Sequence, residues 1–129
     1  MNPHHPGESI SFWSSDQTMP KFDPLAHDMT TDVCVVGGGI AGLTTAYLLM
    51  KEGKKVCLLE GFEIASGQTS RTSAHVSNVL GTRLFELEKY HGANGPYMVL
   101  ESHREAIQKI EDIITDEKID CEFELVNKK

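Results

Sequence analysis

The sequence predicts an α/β fold built on a parallel βαβ unit, and three observations carry that reading. Two short runs, Asp32–Val36 and Lys55–Glu60, are apolar without the alternation of a half-exposed strand, which implies strands covered on both faces. Between them, Ile40, Leu43, Tyr47, Leu48 and Met50 recur at helical spacing. Three consecutive glycines, Gly37–Gly39, stand where the first run meets the helix, and the whole unit takes only about 30 residues.

The elements follow in order. Residues 1–30 hold four of the five prolines and show neither helical nor strand period, so they read as an extended arm. Phe12, Trp13 and Phe22 are its apolar anchors on the folded body. The helix is expected from Ile40 to Glu52, with Gly53 placed to end it. Residues 61–82 form a loop rich in Gly, Ser and Thr, followed by a helical stretch over Arg83–His91. Asn94 is expected to cap, and Pro96 to start, a long amphipathic helix to about Glu117. Its apolar face reads Val99, Leu100, His103, Ala106, Ile107, Ile110, Ile113 and Ile114. The final CEFELV alternates Cys121, Phe123 and Leu125 with Glu122 and Glu124, the pattern of a half-buried strand.

Composition narrows the function classes. The chain has 129 residues, 40% of them hydrophobic, enough for one folded domain. A net charge of −7 argues against nucleic acid and anionic membrane surfaces as partners. No apolar stretch is long enough to span a bilayer, and Met1–Trp13 lacks the charged and apolar regions of a signal peptide. Cys34, Cys57 and Cys121 form no CxxC pair, and two of them lie in expected buried strands; reduced thiols and a cytoplasmic location are expected. His4 and His5, adjacent in the proline-rich arm, make no metal site, and the acidic residues Glu111, Asp112, Asp116 and Glu117 read as a solvated helix face.

Gly37, Gly39 and Gly42 spell G-x-G-x-x-G between a strand and a helix. In that context the first glycine makes the tight turn and the second lets a pyrophosphate approach the main chain. The third lets helix and strand pack closely. The unpaired N–H groups of the helix's first turn then face the phosphates. Glu60 lies 18 residues beyond Gly42 at the end of the second strand, where a carboxylate accepts hydrogen bonds from both ribose hydroxyls. It also repels a 2′-phosphate, which disfavours NADP. These residues predict a Rossmann-like dinucleotide site, and fold physics alone leaves NAD and FAD both open.

Ala46 and Gly53 continue the glycine pattern as in two-domain flavoproteins. The loop ASGQTSRTSAH, Ala65–His75, resembles the segment after the second strand in the glycine/D-amino-acid oxidase-like FAD-dependent oxidoreductases, the DAO family. The segments FWSSDQTMPKFDPL and TRLFELEKYHGANG, with ESHREAIQKIEDI, are similar to the subgroup that carries a C-terminal Rieske-type [2Fe–2S] domain. The resemblance implies oxidation of an amine or amino-acid-like donor by hydride transfer to FAD. It carries the cofactor site onto Gly37, Gly39, Ile40, Ala41, Gly42, Glu60 and Gly61, and onto Ser66, Thr69, Ser70, Arg71, Thr72 and His75. Some members link flavin through a histidine in this loop, but His75 stands at a different distance from the loop glycine.

Family members run to several hundred residues. Residues 31–129 are therefore expected to be the N-terminal part of the FAD-binding domain, with 119–126 the first strand of an α+β substrate domain. A Rieske cluster would belong only to sequence beyond this chain. An NAD-binding dehydrogenase half and a non-catalytic nucleotide-binding remnant are the alternative readings.

Overall fold

A computed structural model describes residues 19–78 and 81–126. They fall into two compact units, Met1–Ser73 and Ala74–Lys129. In the first, strand β1 (Val33–Val36), helix α1 (Ile40–Lys51) and strand β2 (Val56–Leu59) form the expected βαβ unit. The strands pair in parallel, with Val33 opposite Val56 and Val36 opposite Leu59. Each strand is shorter than its apolar run because the flanking acids turn to other partners. Asp32 accepts the Lys55 N–H through Oδ2 at 2.8 Å, and Glu60 folds back toward the glycine turn. Helix α1 packs on both strands and buries Ala46. It stops at Glu52, where the Gly53 N–H reaches the Met50 carbonyl at 3.0 Å.

The expectation of strands covered on both faces is corrected. Val36 is 81% exposed and Cys34 is exposed, while Cys57 is half-buried. One helix covers one face of a two-stranded sheet, and among the described residues of this unit no element covers the other. The arm's described part, residues 19–30, has no regular structure, as expected. Phe22 does not anchor it, being 71% exposed; Phe12, Trp13, His4 and His5 lie outside the described residues. The arm's contact with the sheet is instead at Met29, whose Sδ lies 3.8 Å from the Cys57 thiol.

The second unit pairs helix α2 (Leu84–His91) with helix α3 (Gly95–Asp116). Glu86 turns its carboxylate back to accept the Arg83 N–H at 3.2 Å, closing the start of α2. Leu87 and Gly95 are buried where the helices meet, and Val99, His103, Ile107, Ile110, Ile113 and Ile114 are half-buried along α3. Leu100 and Ala106 of the expected face are exposed. Asn94 precedes α3 as expected but makes no side-chain cap. Its φ of −86° and ψ of −8° are helical, whereas a capping side chain needs extended backbone.

CEFELV forms no strand. Only Phe123 is half-buried, Leu125 is 58% exposed, and Glu122 has φ of 52°, which breaks an extended run. A strand needs a neighbour for its N–H and C=O groups, and this segment pairs with none among the described residues.

The bend between α2 and α3 depends on a missing side chain. A Cβ on Gly95 would lie 2.6 Å from His91 Cβ and 3.0 Å from the Leu87 carbonyl oxygen. Gly95→Ala therefore forces the helices apart and is expected to lower stability by about 1–3 kcal/mol, read as a fall in the denaturant midpoint. An unchanged midpoint would contradict this packing.

Candidate functional site

The glycine turn joins β1 to α1 and uses its glycines for different reasons. Gly37 has φ of 106° with open space around its α-carbon, so conformation alone demands glycine. At Gly42 the demand is space. An added Cβ would sit 1.9 Å from the Gly37 carbonyl oxygen, so α1 lies directly on the exit of β1. The Gly37 N–H extends the ladder to the Leu59 carbonyl at 2.8 Å. The turn is thereby fixed at the carboxyl end of the sheet, where ligands bind in open α/β folds.

Glu60 ties the turn to the end of β2. Its Oε2 accepts the Gly38 N–H at 2.6 Å, and its Oε1 accepts the Phe62 N–H at 3.0 Å. The backbone bonds from Gly38, then Phe62 and Gly61, hold its carboxyl below the ordinary 4.5, against a smaller opposing effect of burial. The group is an anion with lone pairs still free for further donors.

The loop after β2 closes on the same turn. The Ala65 N–H donates to the Gly38 carbonyl at 2.8 Å, so both backbone polar groups of the buried Gly38 are held. The Thr69 hydroxyl accepts the Ile40 N–H at 2.9 Å and lies 3.2 Å from where a Gly39 Cβ would stand. Thr69 thus caps α1 from 29 residues away. These groups border an open cleft of about 460 Å³.

Of the sequence-predicted residues, Gly37, Gly39, Ile40, Ala41, Gly42, Glu60, Ser66 and Thr69 line this cleft. Gly61 flanks it. Ser70 spends its hydroxyl on the Ser66 and Gly67 carbonyls at 2.8 and 3.1 Å, which holds the 3₁₀ turn Thr69–Arg71. Arg71 and Thr72 are exposed at the end of that turn, outside the lining. His75 belongs to the second unit and is exposed. Sequence reasoning missed Val36, Phe62, Ala65, Gly67 and Gln68 as lining residues, and Gly38 as the residue clamped through its N–H and its carbonyl. The middle glycine of the run, which the fingerprint does not require, was the available signal for Gly38. Among the described residues no cluster of His, Cys, Asp and Glu is arranged to hold a metal, and no helix is long and apolar enough to cross a membrane.

The Glu60 tie gives a pH dependence of defined sign. Because the folded carboxyl titrates below 4.5, its contribution is complete above that value and is lost as pH falls through the folded value. Glutamine offers one acceptor oxygen and no charge, so Glu60→Gln is expected to be less stable than wild type near neutrality, with the gap closing in acid. Urea unfolding of both proteins at neutral pH and at about pH 3 measures it; a gap independent of pH would remove the ionised tie.

The comparisons agree with this geometry. Residues 32–128 match the model of the DAO family, FAD dependent oxidoreductase. A Bacillus subtilis (strain 168) protein named for a Rieske 2Fe-2S iron-sulfur centre, YhfW, is 34% identical over 113 residues, which is 88% of this chain and 22% of that protein. Gamma-glutamylputrescine oxidoreductase of Escherichia coli (strain K12) is 33% identical over 102 residues, covering 79% of this chain and 24% of the relative. The chain thus spans about a quarter of the length of these relatives. No solved structure matches. With a family match over most of its length and a glycine turn, the acid Glu60 and a docked loop in one unit, the chain belongs to the DAO family of FAD-dependent oxidoreductases.

Proposed function

We propose that this chain is the N-terminal, FAD-holding part of a flavin-dependent oxidoreductase acting on an amine or amino-acid-like donor. The observation that supports it most is the convergence of the glycine turn, the first turn of α1 and the ionised Glu60 on one cleft. The residues fit the cofactor. Two positions in the cradle tolerate no Cβ without a close contact, and the one acid beside them is an anion able to accept from hydroxyls. The backbone of Gly37, Gly39, Ile40, Ala41 and Gly42 would hold the pyrophosphate, and Glu60 with Gly61 the adenosine ribose. Ser66 and Thr69, with Ser70, Arg71 and Thr72 that follow them on the same loop, would face the phosphates and the flavin half, hydroxyls and a guanidinium being suited to anionic oxygen. FAD, when bound, supplies the hydride acceptor; the protein's part is to bind and orient it.

The name of the Escherichia coli relative supports an amine donor, and that of the Bacillus relative supports a longer protein with an iron–sulfur cluster outside residues 1–129. In the same reading residues 31–129 open the FAD domain, and 119–126 become a strand on pairing with sequence beyond this chain. A cytoplasmic location agrees with the three free thiols.

Absorption spectroscopy tests the reading. The longer protein is expected to be purified yellow, with a flavin spectrum released as FAD on denaturation; a colourless protein that takes up no added FAD would refute it. Glu60→Gln in that protein should weaken FAD by about ten- to a hundredfold, the loss of a charge-assisted hydrogen bond. Equal dissociation constants would remove Glu60 from the site.

Residues 1–129 alone are expected to hold FAD weakly and to show no turnover, because one sheet face and the flavin half of the site are uncovered. Assay of the purified chain with FAD, amine donors and an artificial acceptor measures this. Measurable turnover would show that the site is complete within these residues.

A further inference from the structure

Phe62 is 93% exposed, the most exposed of the described large hydrophobic residues. An aromatic ring left in water forfeits most of its burial free energy, and a ring that nonetheless lines a cleft is placed to receive a flat partner. Its position is not free to drift. The Phe62 N–H is held by Glu60 Oε1 at 3.0 Å, so the same carboxylate that faces the glycine turn also fixes the backbone carrying the ring. The neighbouring Gly61 has open space where a side chain would stand, leaving Phe62 as the one apolar side chain immediately after the ribose-side acid.

We infer that Phe62 is a specificity-determining residue for the base of the bound nucleotide, its ring forming the stacking platform for a purine. The inference rests on the dinucleotide reading of the cleft and extends it to a group outside the glycine fingerprint. The chemistry is direct. A nucleotide anchored by its ribose at Glu60 carries its base one bond from that sugar, next to the residue two places along the chain. The base needs a flat apolar face, and no charged group of the loop supplies one. Stacking on an aromatic ring discriminates by π-surface, so a purine gains more than a pyrimidine.

The test compares ADP with UDP, which share the ribose and diphosphate and differ in the base. Calorimetric titration of the longer apoprotein is expected to give tighter binding of ADP than of UDP. Phe62→Leu keeps an apolar side chain without a planar face and is expected to weaken ADP by about five- to a hundredfold, with UDP changed far less. Phe62→Trp should restore or exceed the wild-type preference. Equal losses for ADP and UDP in Phe62→Leu would overturn the inference in favour of a packing role, as would unchanged ADP affinity. Wild-type protein that binds neither nucleotide would overturn the dinucleotide reading itself, whereas binding without base preference would overturn only the role of Phe62.

Discussion

The approach of α1 to the end of β1 is the constraint on which the first unit depends. With less room than a single methyl group between Gly42 and the Gly37 carbonyl, helix and strand are locked at one angle and one offset. That contact decides where the helix's first N–H groups emerge, and hence where the cleft opens. Everything else at the site is arranged around a turn already fixed by sterics. Glu60 and the loop after β2 add hydrogen bonds to it, but they bind to a shape that the glycines impose.

Those added bonds make one connected network from three stretches distant in sequence. Gly38 gives its N–H to Glu60 and takes the Ala65 N–H on its carbonyl, while Thr69 takes the N–H of Ile40. Two successive peptide groups, each held at one polar atom, resist flipping, which keeps the neighbouring amides in place. The structure therefore achieves order at the cleft with little hydrophobic core, Ala46 being the one buried hydrophobic side chain among the described residues of that unit.

What the sequence made legible was local. The bounds of β1, α1 and β2 were readable to within a residue or two, because apolar spacing, a glycine turn and Gly53 act over a few residues. Glu60 was readable as an acid at the strand end. Its bonds to Gly38 and Phe62 were not, since they depend on how two loops meet in space. Thr69 was expected to serve a ligand, and nothing in its neighbours announces that it also caps a helix from a distant loop. CEFELV failed for the complementary reason: alternation describes which face a strand would bury, while pairing decides whether a strand exists. Asn94 failed by a dihedral angle, a composition-correct cap set in helical backbone.

The pairing of β1 with β2 has a kinetic consequence. Their parallel pairing cannot be made by a tight turn: Val33 meets Val56 only after the whole of α1 has been laid between them, so loop entropy is spent before the first strand contacts form. Parallel pairing of this kind forms slowly compared with a hairpin. Each strand, however, has one edge without a partner among the described residues, and Val36 faces water. The same connection that delays pairing therefore leaves an open template for strand addition, which is an aggregation hazard wherever that edge stays uncovered.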